Sequence, residues 1–241
     1  MFAPNVHILP LRRIRRPSAS LDEPCMTPPV YAPALAIVGG LASAAKLDLL
    51  DRLAGEVDAL ALGGAVANGF LAATGTDMGA SLYGQAADQA FTRDARAILD
   101  KAKAHGCTVL LPVDLVVATE VREGAEDRAV PCSALGPEDM ALDIGPATVA
   151  RLTACVEAVR TVLWTGPLGA CEIAPFDAGT NALAWFIARR TRDAGLLSVA
   201  AGAATLAALA ATGVEERFSA LAKPADLPDW LGRDARRMVP A

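Results

Sequence analysis

The chain has 241 residues, 53% of them hydrophobic and 20% charged, with a formal net charge of −5. That apolar content excludes disorder for the bulk of the chain, because disordered chains combine low hydrophobicity with high charge. The mild acidity argues against a nucleic-acid binder, which needs a basic surface for phosphates. One large domain is the default at this length.

A mean hydropathy of +0.35 raises the question of a membrane. No uncharged apolar run of about 18 residues is bounded like a spanning helix. Leu196–Val214 comes nearest, but Gly202, Gly213 and the small residues from Ala200 to Ala204 interrupt it. It reads as a buried strand followed by a buried helix. No membrane partner is expected.

Residues 1–33 form a separate segment. Prolines recur through it and exclude a continuous helix, and Arg12, Arg13, Arg15 and Arg16 make a basic cluster. Asp22, Glu23 and the prolines fit an import leader badly, so the expectation is a disordered or extended arm. Met26 is an alternative start. The five cysteines (Cys25, Cys107, Cys132, Cys155, Cys171) are widely spaced, odd in number and without a C-x-x-C pair. That pattern predicts neither a disulfide framework nor a zinc site and points to the reduced cytoplasm. His7 and His105 are the only histidines, too few for a histidine-based metal site, so no metal ligand is assigned.

From residue 34 onward, short apolar runs alternate with longer amphipathic stretches. In chain order, strands are predicted at Ala34–Val38, Ala59–Leu62, Thr108–Val113, Thr161–Trp164 and Leu196–Ala200. Their continuous apolarity implies burial on both faces, as in a parallel sheet. Helices are predicted at Ala44–Leu53, Val66–Ala73, Ala86–His105, Pro146–Ala158, Asp177–Arg192 and Thr205–Thr212. In the third of these, Ala90, Ala97, Ile98 and Ala102 recur near helical period. Lys101, Lys103 and His105 complement the C-terminal dipole there, and Gly106 follows as a cap. The alternation gives an α/β fold, a three-layer Rossmann-like sandwich with a mostly parallel sheet.

Glycines follow the strands: Gly39-Gly40, Gly63-Gly64, Gly166 to Gly169 and Gly202. Ligands of open α/β sheets sit beyond the carboxyl ends of the strands, and glycine lets a base or a phosphate approach the backbone there. Neither G-x-x-x-x-G-K-[ST] nor G-x-G-x-x-G is present, so a nucleotide site must be of another kind.

The blocks PALAIVGG followed by Lys46, ALALGGAVANGFL, LLPVDLVVA, ALDIGP, TVLWTGPLGACE and PFDAGTNALA are, in this order and spacing, similar to the C-terminal nucleotide-binding domain of phosphoglycerate kinase. The match runs from about residue 33 to about 213, within a domain taken as 34–241 whose C-terminal tail diverges. The resemblance implies a parallel sheet that holds adenine nucleotide. It also implies, in the whole family enzyme, magnesium-dependent phosphoryl exchange between 1,3-bisphosphoglycerate and ADP, with 3-phosphoglycerate bound by an N-terminal domain. By the same resemblance, Gly39, Gly40, Gly63 and Gly64 pack against adenine, and Leu142 and Pro167 are apolar pocket positions. Glu172 accepts hydrogen bonds from ribose hydroxyls. Lys46 corresponds to the second lysine of the family segment GGAKVxDK, which contacts nucleotide phosphate.

The departures are specific. Ala42 stands where the family has the lysine that stabilises the transferring phosphoryl group, and Thr165 replaces the asparagine of WNGP. Ala201-Gly202-Ala203-Ala204 replaces GGGD, leaving Ala204 in place of a magnesium-linked aspartate. The segment STGGGASLE and the glycerate-binding domain have no counterpart. These changes predict ATP or ADP binding without efficient phosphoryl transfer, so no catalytic residue is assigned. Two other readings stay open. One is a phosphotransferase completed by a separate substrate-domain chain or using another substrate. The other is a non-catalytic structural or regulatory protein with a vestigial pocket, which pairs or self-associates through a face marked by Trp164, Leu168 and Phe176.

Overall fold

The structure is a computed structural model, and it describes residues 31–82 and 89–228. β1 (Ala34–Val38) leads through α1 (Ala44–Ala54) to β2 (Ala59–Leu62), then through α2 (Gly64–Ala73) and α3 (Gln89–Ala104) to β3 (Thr108–Leu110). β4 (Asp114–Ala118), β5 (Arg128–Pro131) and β6 (Met140–Ile144) follow. The chain continues through α4 (Pro146–Ala158), β7 (Thr161–Thr165), α5 (Ala178–Ala194), β8 (Leu197–Ala201), α6 (Ala203–Ala211) and β9 (Ala220–Ala222).

Six strands form one sheet in the order β3-β2-β1-β7-β8-β9, with every pairing parallel. The winding runs outward from β1 on one side and outward from β7 on the other. The order therefore reverses between β1 and β7, and loops leaving their carboxyl ends in opposite directions open a crevice there. Successive side chains of a strand point to opposite faces. Ala34, Ala36 and Val38 accordingly pack with α1, α2 and α3, while Leu35 and Ile37 pack with α4, α5 and α6. Helices cover both faces, which is why these strands read as unbroken apolar runs. Each fully buried Leu, Ile or Phe contributes roughly 1.5–3 kcal/mol, and Leu35, Ile37, Leu60 and Phe70 are all completely enclosed.

Several expectations need correction. The run from Thr108 to Val113 stops being strand at Leu110. Pro112 has no N–H for a ladder, and the Val113 N–H turns to the Thr148 hydroxyl at 3.0 Å. The chain then enters a second, antiparallel sheet of order β5-β4-β6 that the sequence reading did not foresee. On α3 the buried face is Phe91, Ala95, Ile98 and Ala102, and Ala97 points to solvent. Trp164, Leu168 and Phe176 are buried, so they mark no exposed face. Leu196–Val214 divides into β8 and α6, and no helix among the described residues is long and apolar enough to cross a membrane.

Most of the arm, with Arg12 to Arg16, His7, Cys25 and Met26, lies outside the described residues, as do residues 229–241. Tyr31 and Pro33, at the end of the arm, are tied to the start of β7. The Thr161 hydroxyl accepts from the Tyr31 amide at 3.0 Å and donates to its carbonyl at 2.9 Å, and the Arg160 amide donates to the Pro33 carbonyl at 2.8 Å.

Candidate functional site

Three glycine-bearing turns meet at the carboxyl end of the sheet and interlock through their backbones. The Gly39 N–H donates to the Thr165 carbonyl at 2.8 Å and the Gly40 N–H to the Pro167 carbonyl at 2.7 Å. The Gly63 N–H donates to the Val38 carbonyl at 3.0 Å and the Gly64 N–H to the Leu168 carbonyl at 2.9 Å. A Cβ on Gly39 would lie 2.1 Å from the Pro167 carbonyl oxygen, and one on Gly63 would lie 2.4 Å from the Leu168 side chain. Glycine is needed at these two positions because another turn of the same chain packs there. Gly64, at φ 58°, and Gly166, at φ 85°, also occupy the left-handed region. Pro167 is buried within this junction. Two of the first-turn amides of α2 are consumed by it, since Gly64 binds Leu168 and Val66 donates to the Gly40 carbonyl at 3.1 Å. α6 differs: its N-cap is Gly202, and among the described residues no side chain caps its first turn.

Lys46 sits at the third position of α1, whose start is capped by the Ser43 hydroxyl accepting from the Lys46 amide at 3.3 Å. Its ammonium donates to the Gly39 carbonyl and lies against the Gly40 and Gly166 turns. Among the described residues no carboxylate pairs with it. Burial lowers its pKa to about 8. A cation in a helix's first turn also opposes the dipole. An unpaired, partly desolvated cation is unfavourable for the free chain and suited to an anion.

The loop from Gly166 to Glu172 joins this junction to the other predicted positions. The Ala170 N–H donates to the Leu142 carbonyl at 2.8 Å. The Leu142 side chain is half-buried against the cluster of Ala118, Ala125 and Phe176. Glu172 is exposed, and its carboxylate accepts from the Cys171 thiol; that thiol's pKa is pushed up to about 11, by burial first and by Glu172 second. Gly39, Gly40, Gly63, Gly64, Lys46 and Pro167 thus form one contiguous unit, with Leu142 and Glu172 attached through the loop.

Sequence reasoning gave no role to three residues that build this region. The Thr205 hydroxyl accepts from the Gly166 N–H at 2.6 Å, and the Thr180 hydroxyl accepts from the Leu168 N–H at 2.9 Å. The Asp143 carboxylate accepts from the Gly179 N–H at 2.6 Å and the Ile144 N–H at 2.8 Å. For Asp143 and Thr180 the only available signal was their place inside the quoted blocks, which does not distinguish a scaffold residue from a surface one, and Thr205 lies in none of those blocks. Among the departures, Ala42 packs its methyl on the core and Ala204 is exposed on the first turn of α6. Thr165 is buried, its hydroxyl 3.3 Å from where a Cβ on Gly202 would lie.

The comparisons agree with this architecture. The family model "Phosphoglycerate kinase" matches residues 23–223. The chain is 49% identical over 187 residues to a phosphoglycerate kinase of Cereibacter sphaeroides, covering 78% of this chain and 46% of that protein. With a Methylorubrum extorquens protein of the same name it shares 44% over 215 residues, covering 88% of this chain and 52% of that one. The chain spans about half the length of the curated relatives it matches. Among solved structures, phosphoglycerate kinase from Coxiella burnetii superposes with a TM-score of 0.76 at 31% identity, over 85% of this chain and 51% of that chain. Phosphoglycerate kinase from Pyrococcus horikoshii, at a TM-score of 0.66 and 22% identity, shares the fold. The extent of the family match, together with the ordered blocks and the parallel sheet that they build, shows that the chain belongs to the phosphoglycerate kinase family.

Proposed function

We propose that this chain is a phosphoglycerate kinase-like nucleotide-binding domain, spanning 34–241, that binds ADP or ATP and is impaired in phosphoryl transfer. The observation that carries the reading is Lys46. Its ammonium, bonded to the Gly39 carbonyl but to no carboxylate among the described residues, lies over the turns of the Gly39–Gly64–Gly166 junction at the crevice between β1 and β7. Nucleotide phosphates would neutralise this cation, with the uncapped first turn of α6 as a second source of positive potential. Adenine is assigned to the side of Gly39, Gly63 and Leu142, and the ribose hydroxyls to Glu172.

The impairment rests on two missing groups. Phosphoryl transfer depends on positioning and on stabilisation of developing charge, and losing one preorganised donor costs roughly 2.7–4 kcal/mol in comparable sites. Ala42 offers no cation. Ala204 offers no side-chain oxygen to magnesium. The residues present do not fit the family's magnesium-linked position, so no step is derived through the metal.

Calorimetric titration with ADP tests binding, and a coupled assay for 3-phosphoglycerate-dependent ATP consumption tests catalysis. Saturable ADP binding with no turnover is the expected result. No ADP binding removes the nucleotide reading and leaves a structural or regulatory protein. Substantial turnover overturns the impairment, and would mean that a dimer partner, a separate chain or a different acceptor completes the site. The relatives are glycolytic kinases by family, and a cytoplasmic location is proposed with that role.

A further inference from the structure

Asp143 is 2% exposed and stands where β6, the Gly166–Glu172 loop and the first turn of α5 meet. The usual cap of α5 is not made: Asp177 precedes the helix, but its carboxylate accepts from the Asn181 side chain at 2.7 Å and caps no backbone amide. Asp143 does that work from another element, accepting from Gly179 in the first turn of α5. Two glycines make room for it. A Cβ on Gly169 would lie 2.4 Å from Asp143 Oδ1, and one on Gly179 would lie 2.8 Å from the same oxygen. Thr180, the next residue of α5, holds Leu168, and Leu168 in turn accepts from Gly64. Leu142, the preceding residue of β6, holds Ala170.

We propose that Asp143 is the positioning residue of this site: its carboxylate clasps the end of β6 to the start of α5 and so sets how the Gly166–Glu172 loop lies against Leu142 and the glycine turns. The inference rests on the nucleotide reading above for its effect on binding, and on the geometry alone for its effect on the loop. The clasp responds to ionisation. As a carboxylate, Asp143 presents both oxygens as acceptors to two amide donors; as an acid, one oxygen carries a proton and the pair of bonds weakens. The titratable groups that face it are Asp177 at the start of α5 and the Cys171 thiol in the loop, the latter bonded to Glu172; no cation pairs with it among the described residues. Desolvation by burial is the largest influence on it and outweighs the two amide bonds, raising its pKa from 3.8 to about 7. The clasp therefore tightens as the pH rises through neutrality.

The test has two readouts on the whole chain. In amide NMR spectra of the wild type between about pH 5.5 and 7.5, Gly179 and Ile144 are expected to titrate with one midpoint, and Ala170 and Glu172 to follow with the same midpoint. Gly179 moving while Ala170 and Glu172 stay fixed would overturn the proposal, whether or not any nucleotide binds. In the second readout, the ADP dissociation constant of Asp143→Asn is compared with that of the wild type across the same range. The titration of ADP itself is common to both proteins and cancels in the ratio. At pH 7.5 the variant is expected to bind more weakly by about 2- to 30-fold, the range of couplings carried through packed networks, and the gap should narrow toward pH 5.5. A ratio that does not change with pH would overturn the effect on binding. Absence of ADP binding to either protein would instead sink the nucleotide reading, and the NMR result would still decide the placement of the loop.

Discussion

The Lys46 ammonium donates to the Gly39 carbonyl, so the first turn of α1 closes over the end of β1. That carbonyl belongs to a residue whose own amide is bonded to Thr165 of β7. A single lysine thereby touches the point where the strand order reverses. A carbonyl oxygen only partly compensates an ammonium for lost water, and the remaining deficit is visible in its lowered pKa of about 8.

Replacing Lys46 by Met is expected to weaken ADP binding by about 1.5–3 kcal/mol, the scale of hydrogen bonds to charged groups. Calorimetry on folded variant protein checks it, and an unchanged affinity would remove Lys46 from the site. The pH dependence of stability has a definite sign. Between about 8 and 10.5 the folded chain binds fewer protons at this group than the unfolded chain, so stability should rise with pH across that window. Lys46→Met should lack this contribution, as seen in the difference between the two denaturation profiles.

Gly39→Ala should be more damaging than Gly40→Ala. The first places a methyl 2.1 Å from the Pro167 carbonyl oxygen, while the second has no neighbour closer than 3.7 Å. Overpacking of this kind costs typically 1–3 kcal/mol or more. Gly40→Ala meets only the left-handed penalty at φ 76°, about 1–2 kcal/mol. Urea denaturation of the two variants gives the order directly, and the reverse order would refute the interlocked turns.

Glu172→Ala should weaken ADP by about 1–3 kcal/mol with little change in stability. The residue is exposed, so its removal leaves no cavity. A loss of stability equal to the loss of affinity would mark Glu172 as part of the scaffold and not of a ribose contact.

Ala204→Asp should make ADP affinity depend on magnesium more steeply than in the wild type. The substitution supplies an oxygen on the first turn of α6, where the present side chain is a methyl. Titrations with and without magnesium measure the ratio. An equal ratio in both proteins would show that the position does not face the phosphates.

Asp143 gives an opposite pH slope from that of Lys46. Its folded pKa of about 7 lies above the ordinary value of 3.8, so its contribution to stability is fully present below about 4 and is lost as the pH rises through about 7. Asp143→Asn cannot titrate and should lack that slope. Thermal melts of both proteins across the window test it, and identical profiles would place the titration elsewhere.

Much of the sheet was legible because burial on both faces leaves a plain mark. Ala34–Val38 and Ala59–Leu62 were bounded correctly from apolar continuity alone, and Pro146–Ala158 as the longer stretch between two apolar runs. Strand β5 was not legible: its residues are mostly exposed, and pairing with β4 across the sequence, not a hydrophobic pattern, makes it a strand. Ala97 fits the helical period of α3 and yet is exposed, because alanine is equally at home inside and outside a helix.

The sequence by itself determined the alternation of strands and helices, the family, and which residue types stand at the ends of the strands. It determined too that positions 42 and 204 carry alanine, since a charged side chain absent from the sequence is absent from any fold. Only the tertiary structure decided what those glycines touch. Gly39 and Gly63 are 24 positions apart in the chain, yet both are pressed against the loop at 166–168. It alone decided that Asp143 caps a helix beginning 35 residues later, that Trp164 is enclosed, and that Lys46 has no carboxylate beside it among the described residues. The reason is physical: periodicity records which face of an element meets apolar surroundings, whereas contacts between loops depend on strand order and register, which no local pattern encodes.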